Sequence, residues 1–289
     1  MRVVSLLPSA SEILCAIGGG HFLVGVGHEC GLQELATKNI PSVTKPGTGS
    51  IDHDLIEQLK PDLILAGDDV AAANQAFGTR AEVLVLGPTT IEAVFDDLLR
   101  VGQAVGHEAQ AVKSIVELRG RLHSAQDFVN PYTEGPTVGF LESIDPLRAA
   151  GLWTVQLIER AGGKHPWNPT TAAEDSGAAA GPQMAYRSAG KSVTVTPAQF
   201  AAEGPEFLVI APCGLDLDQT KAAAAELATQ DWFQSLPAVK AGNVALVDGN
   251  QSFSRPGPRL VDAFEFLVGF LNDRAGVIPV GFAWELSKK

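Results

Sequence analysis

Seven short runs of apolar, largely β-branched residues recur along the 289-residue chain, with helical patterns between them. Each run is continuously apolar rather than alternating, which is typical of strands covered on both faces, as in parallel sheets flanked by helices. The pattern therefore predicts an α/β fold. The predicted strands are residues 3–7, 23–26, 63–66, 83–86, 138–141, 208–211 and 244–247.

A long helical pattern near the middle of the chain predicts how the fold is divided. It covers residues 107–129 and would span roughly 35 Å. The segments 54–66 and 198–211 on either side share one construction, a short helix, a proline with an acidic residue, and a strand. We therefore predict two Rossmann-like lobes joined by a single long helix. The boundaries are 1–105 for the N-terminal α/β lobe, 106–134 for the linking helix and 135–289 for the C-terminal α/β lobe.

Composition excludes several classes of partner. The chain has 21 Lys and Arg residues against 33 Asp and Glu residues, a net charge of −12. A chain this acidic and without a basic cluster is a poor match for nucleic acid or an anionic membrane surface. No apolar run approaches the ~18 residues of a membrane-spanning helix, so we predict no membrane insertion.

The start of the chain and its cysteines bear on the cellular compartment. After Arg2 an apolar strand leads to Pro8, and Glu12 follows soon after, which does not match a secretory leader. The three cysteines are an odd number without CxxC spacing, which favours reduced thiols. We expect a cytoplasmic monomer, or an extracytoplasmic protein if the sequence is a trimmed piece.

The first helix shows start and stop signals. Ser9 followed three residues later by Glu12 matches a capping box, so we predict Ser9 as the N-cap. The glycines at 18–20 predict the end of the helix.

The loops that follow the predicted strands are the candidate binding site, because ligands of open α/β sheets bind beyond the carboxyl ends of the strands. These loops offer a helix N-terminus, acidic side chains, thiols, an aromatic ring and a cation. The predicted ligand-binding residues are Pro8, Ser9, His28, Glu29, Cys30, Asp68, Glu142, Asp145, Trp153, Cys213 and Arg255.

The loop His28-Glu29-Cys30 permits three interpretations. It combines three metal-ligating residue types, and Cys213 is the natural further ligand, although the spacing is not that of a zinc site. A Cys–His nucleophile pair would be an enzyme's arrangement. The third interpretation is that the cysteines are small apolar residues at strand ends and His28 is a hydrogen-bonded loop residue.

Other residues after the strands add less specific signals. Asp68 and Asp69 fit a solvated helix N-terminus better than an acid–base pair, because consecutive side chains diverge. Trp153 and Trp167 together favour a flat, largely apolar ligand. No GxGxxG, Walker, GxSxG or HExxH motif is present, so the sequence has none of these signatures of nucleotide binding or of common hydrolases.

Several of these segments together resemble the class III substrate-binding proteins of ABC importers, which bind vitamin B12 and iron siderophores, and within them the cobalamin-binding subgroup. The resemblance rests on the beginning of the chain from Arg2 to Leu14, the loop Gly27-His28-Glu29-Cys30, and three later segments. These are Lys60-Pro61-Asp62-Leu63-Ile64-Leu65, Ala211-Pro212-Cys213-Gly214 and Arg255-Pro256-Gly257-Pro258-Arg259.

The resemblance implies two lobes joined by a rigid helix and a cleft that holds a ligand without chemical change. The implied ligands are cobalamin, haem or a ferric siderophore, the implied partners are the membrane subunits of an ABC importer, and no cofactor is required. Similar proteins tend to carry Gly-His-Trp where this chain has Gly151-Leu152-Trp153. We therefore expect His28 and Cys30 to line the cleft wall. The alternative is a Cys/His-dependent or metal-dependent enzyme using His28, Cys30 and Cys213.

Overall fold

The computed structural model describes residues 1–31, 39–68, 80–172 and 187–287. The chain divides into two compact units. Unit 1 comprises Met1–Pro88 and Glu92–Arg119, and unit 2 comprises Thr89–Ile91 and Gly120–Lys289. We describe each unit by itself.

Unit 1 contains a four-stranded sheet in which all neighbouring strands are parallel, in the order β2-β1-β3-β4. All three residues of β1 and all four of β3 are buried, which explains why these segments are continuously apolar. The strands are β1 (Val3–Ser5), β2 (Leu23–Val26), β3 (Leu63–Ala66) and β4 (Glu82–Val85). The helices of this unit are α1 (Pro8–Ala16) and α2 (His53–Leu59), together with α3 (Ile91–Ala104) from Glu92 onward and α4 (Glu108–Gln126) as far as Arg119.

The N-cap predicted for α1 is wrong. The helix begins at Pro8, its N-cap is Leu7, and no side chain caps it. Proline is favoured in the first turn because it has no N–H to leave unsatisfied, so Pro8 starts the helix and Ser9 lies buried inside its first turn. The glycine stop signal is confirmed, because Gly18 has a left-handed φ of +73° and Gly19 N–H donates to the carbonyl of Leu14 at 2.7 Å.

The long central helix is confirmed as α4, three residues shorter at its carboxyl end than predicted. The division between the units falls inside this helix, between Arg119 and Gly120. Residues 106–134, the predicted linking helix, are therefore shared between the two units. The structure assigns the first part of this segment to unit 1 and the rest to unit 2.

Unit 2 contains a six-stranded mixed sheet in the order β12-β11-β10-β5-β6-β9. Its three inner strands, β5, β10 and β11, are parallel to one another, and the outer strands run antiparallel to their neighbours. The strands of this sheet are β5 (Val138–Ile144), β6 (Leu147–Ala149), β9 (Val193–Thr194), β10 (Phe207–Ile210), β11 (Val244–Val247) and β12 (Trp284–Leu286). A separate hairpin pairs β7 (Thr171–Ala172) with β8 (Arg187–Ser188).

Helices cover the sheet of unit 2. The core on one side includes Phe200, Leu208 and Leu141, all fully buried. Phe264 and Phe266 of the last helix are buried as well. The helices are α5 (Leu152–Arg160), α6 (Pro197–Ala202), α7 (Leu217–Leu227), α8 (Asp231–Ser235), α9 (Pro237–Ala241) and α10 (Leu260–Leu271).

All seven predicted strands are present, with ends that differ by up to three residues. The largest difference is in β5, which continues through Glu142 and Ser143 to Ile144, where the sequence predicts a loop. Strand β6 pairs antiparallel with this extension and supplies the backbone hydrogen bonds that make it a strand. Among the described residues, no helix is both long enough and apolar enough to span a membrane.

Candidate functional site

In unit 1, the loop after β2 is held close to the end of β1. Gly27 N–H donates to the carbonyl of Ser5 at 2.9 Å. The Oγ1 atom of Thr44 lies 2.7 Å from both the backbone nitrogen and the Nδ1 atom of His28. The His28 ring is therefore oriented through Nδ1, and its Nε2 atom lies 3.9 Å from the carboxylate of Glu29.

Cys30 lies in the same loop, and its N–H donates to the carbonyl of Gly27 at 3.0 Å in a tight turn. No hydrogen bond joins His28 to Cys30 in the described chain, so the geometry of a Cys–His nucleophile pair is not formed there. Of the metal-ligating side chains in residues 1–31, 39–68, 80–172 and 187–287, no three or more lie close enough together to hold a metal ion.

Two further predicted residues of unit 1 follow β1 and β3. Pro8 opens α1 directly after β1, and the Leu7 side chain lies 3.4 Å from the Cβ position of Gly67, which follows β3. Asp68 is exposed, and its carboxylate lies 2.4 Å from the Cβ position of Gly87 after β4. The carboxyl edges of β1, β3 and β4 are thus adjacent. Asp69 lies outside the described residues.

In unit 2, the carboxylate of Glu142 joins three segments. Glu142 occupies an irregular position of β5, because the register against β6 shifts between Leu141 and Ser143. Its carboxylate accepts a hydrogen bond from Gly151 N–H at 3.1 Å and another from the Ser192 hydroxyl. Burial raises the pKa of the Glu142 carboxyl above its ordinary value, although the bonds from Ser192 and Gly151 act in the opposite direction.

The segment that Glu142 holds is the start of α5, which carries Trp153. Gly151 is required there, since a Cβ atom would lie 2.2 Å from the backbone nitrogen of Ser192. Leu152 adopts a left-handed φ of 51°, which is uncommon for a residue with a branched side chain. The indole Nε1–H of Trp153 donates to the carbonyl of Phe253 at 2.8 Å, so the ring is fixed to the loop after β11.

The loops after β10 and β11 are in close contact. A Cβ atom on Gly249 would lie 1.9 Å from the carbonyl oxygen of Pro212, so only glycine fits there. Cys213 is exposed, and its N–H donates to the carbonyl of Glu142 at 2.9 Å. Arg255 is half-buried in the loop after β11, two residues beyond Phe253. Glu142, Trp153, Cys213 and Arg255 therefore belong to one set of connected segments.

Asp145 is not part of that set. It is exposed at the turn between β5 and β6, and within the described residues no hydrogen bond or ion pair joins it to the others. The sequence groups Asp145 with Glu142 because both follow the apolar run 138–141, but β5 continues to Ile144 and Asp145 lies in the turn beyond it.

Trp167 is held by packing contacts. Its ring stacks on Phe200 with centroids 4.5 Å apart and packs against the hydrophobic core. The neighbouring His165 is buried, which lowers the pKa of its imidazole to about 4. His165 is therefore a packing residue. Trp167 packs on the core with a partly buried side chain, and its contact with a ligand stays a prediction.

Two residues of the site were missed by the sequence reasoning. Ser192 precedes β9 and binds Glu142, and no local motif marks it. Phe253 is 3% exposed, and its ring packs on Phe140 with centroids 4.8 Å apart. It lies in the loop after β11 that the sequence indicates as functional. The sequence does not show that the Phe253 carbonyl accepts the hydrogen bond from Trp153, because tertiary packing brings the two residues together.

Comparison with known proteins agrees with this architecture. A family model described as "Periplasmic binding protein" matches residues 3–250. A vitamin B12-binding protein of Photorhabdus laumondii is 33% identical over 129 residues, which is 44% of this chain and 46% of that protein. A cobalamin-binding protein of Halobacterium salinarum is 26% identical over 267 residues, 90% of this chain and 66% of that protein. The matches thus span about half to two thirds of these relatives.

The crystal structure of a periplasmic heme-binding protein from Pseudomonas aeruginosa shares the fold. It superposes with a TM-score of 0.73 at 23% identity, covering 94% of this chain and 92% of that one. This likeness shows that the chain has the same α/β fold. The chain belongs to the periplasmic binding protein family.

Proposed function

We propose that this protein binds a cobalamin-like corrinoid without changing it chemically, and that it delivers the ligand to the membrane subunits of an ABC importer. The named relatives support the ligand class, since the two described above bind vitamin B12 or cobalamin by name. Haem and ferric chelates are the alternative ligands.

In unit 2, the observation that supports the proposal is the position of the Trp153 ring. The ring of Trp153 is fixed at the carboxyl edge of the sheet by its bond to Phe253, while the side chain stays partly exposed. A fixed, partly exposed aromatic ring offers a rigid apolar wall at low cost in conformational entropy. Arg255 lies in the adjoining loop, where a cation can meet carboxylate or amide edges of a large ligand.

We propose a lining role for His28 and Cys30. The Nδ1 atom of His28 is engaged by Thr44, and Cys30 has its N–H bonded within its own turn. Both residues lie at the carboxyl edge of β2, and in the described chain no hydrogen bond joins them as a nucleophile and its base would require. Binding rather than catalysis is therefore the function we propose, and the enzyme alternative gains no support from this loop.

The ligand can be identified by direct loading. The protein is incubated separately with cyanocobalamin, haemin and a ferric hydroxamate siderophore, desalted, and its visible spectrum recorded. Retention of cyanocobalamin at one equivalent would support the proposal, whereas retention of haem or the siderophore alone would replace the ligand named here. Retention of none of the three would overturn the function.

Two variants test the residues. Combined Trp153→Ala and Arg255→Ala should weaken the binding of the retained ligand by at least tenfold, about 1.4 kcal/mol. Unchanged affinity would show that the site is misplaced. His28→Ala should weaken binding by no more than about tenfold and leave the visible spectrum unchanged, whereas a spectral shift would make His28 an axial ligand. Asp145→Asn, at the hairpin tip, is the control.

A further inference from the structure

Unit 2 has a groove that is separate from the candidate ligand-binding residues. It lies between the carboxyl-terminal half of α4 and the segment after α10, and its volume is ≈ 640 Å³. That is within the range of about 300–1,000 Å³ usual for small-molecule sites. None of the residues predicted to bind the corrinoid lines it.

The walls of the groove are apolar and open. Phe128, two residues beyond the end of α4, is 49% exposed, and it lines the groove together with Ala125 and Val277. Gly120 and Gly276 also line the groove, and a Cβ atom on either would have no other atom within 4 Å. An aromatic side chain left half exposed beside open space is a surface that an apolar ligand would cover.

The two arginines that line the groove differ in whether carboxylates neutralise them. The guanidinium of Arg121 is neutralised by Glu265, at 2.5 and 3.0 Å, and by Asp262 at 2.5 Å. Arg274 is different, because its side chain is exposed and makes no hydrogen bond or ion pair with any residue that the structure describes. One cation at an apolar groove is thus available to an anion from outside.

We propose that this groove is a second binding site, whose ligand is a medium-chain fatty acid. The acyl chain would lie on Phe128 and Val277, and the carboxylate would pair with Arg274. Arginine suits a carboxylate because its planar guanidinium can donate two parallel hydrogen bonds. The remaining charges of the groove are already paired, so a neutral or cationic head group would gain no such contact.

Calorimetric titration with decanoate, below its micellar concentration and at neutral pH and low salt, tests the site. The wild-type protein should bind one equivalent, and 1-decanol should bind at least tenfold more weakly. Arg274→Gln should weaken decanoate binding by about tenfold, with recovery in Arg274→Lys. Absence of binding to the wild type, or equal binding of decanol and decanoate, would overturn the proposal.

A filling variant provides the second test. Gly120→Leu places a side chain in the open groove and also favours the helix, since glycine is a poor helix former. It should abolish decanoate binding while cyanocobalamin binding is unchanged, which separates this site from the proposed corrinoid site. Gln110→Leu adds the same side chain to an exposed position of α4 outside the groove and should bind as wild type. Undiminished decanoate binding by Gly120→Leu would refute the site.

Discussion

Removing the Glu142 carboxylate should destabilise unit 2, whereas removing only its charge should not. In Glu142→Ala the N–H of Gly151 and the hydroxyl of Ser192 both lose their acceptor. A buried donor without a partner costs about 1–3 kcal/mol, so we expect a loss of about 2–4 kcal/mol in the free energy of unfolding. Glu142→Gln keeps an acceptor for Gly151 and should lie within about 1 kcal/mol of wild type.

The pH dependence gives an independent test of the same contacts. Burial raises the pKa of Glu142 in the folded protein above its ordinary value, so the fold favours the protonated form. This contribution to the free energy of unfolding is fully present below the pKa that Glu142 has in the unfolded chain. It is lost as the pH rises through the pKa that Glu142 has in the folded protein. The stability of Glu142→Gln relative to wild type should therefore increase between about pH 4.5 and neutrality.

Urea unfolding followed by tryptophan fluorescence measures this effect in the correct unit. All four tryptophans, at positions 153, 167, 232 and 284, belong to unit 2. Glu226→Gln, an exposed carboxyl on α7, is the matched control and should show neither effect. Equal stability of the Ala and Gln variants, or a Gln-to-wild-type difference that is constant across this pH range, would refute the reasoning.

Three further outcomes can be measured by thermal unfolding. Gly151→Ala should destabilise unit 2 by at least about 2 kcal/mol, because its Cβ would lie 2.2 Å from the nitrogen of Ser192; an unchanged midpoint would contradict this contact. His165 has its pKa lowered to about 4, so the stability of wild type should fall as pH drops from 6.5 towards 4, and His165→Phe should flatten that decline. Arg121→Ala should cost about 1–2 kcal/mol by leaving two carboxylates of α10 unpaired, including Glu265, an effect that high salt should reduce; salt independence would argue for packing instead.

The strands and the long helix could be predicted because their signals are local. Continuous apolar runs reflect burial on both faces, and the pattern of α4 needs no partner to be recognised. The predicted N-cap of α1, Ser9, is two residues later than the observed N-cap, Leu7, because Pro8 and Ser9 both favour a helix start and the sequence gives no measure of which one prevails.

The errors in the candidate site arise where distant segments determine the structure. Glu142 is polar, so it interrupts the apolar run of β5, and only pairing with β6 shows that the strand continues. The stacking of Trp167 on Phe200, which is 33 positions away, has no local signal in the sequence. The bond from Trp153 to Phe253 spans 100 positions and likewise has no local signature.

The outer strands of the six-stranded sheet limit how copies of this protein can associate. Strand β12 has three residues and β9 has two, so each edge presents few backbone N–H and C=O groups to a neighbouring chain. Long exposed edges act as templates for aggregation, and short ones do not. The sheet of unit 2 therefore offers little open edge through which one copy of the protein could pair with another.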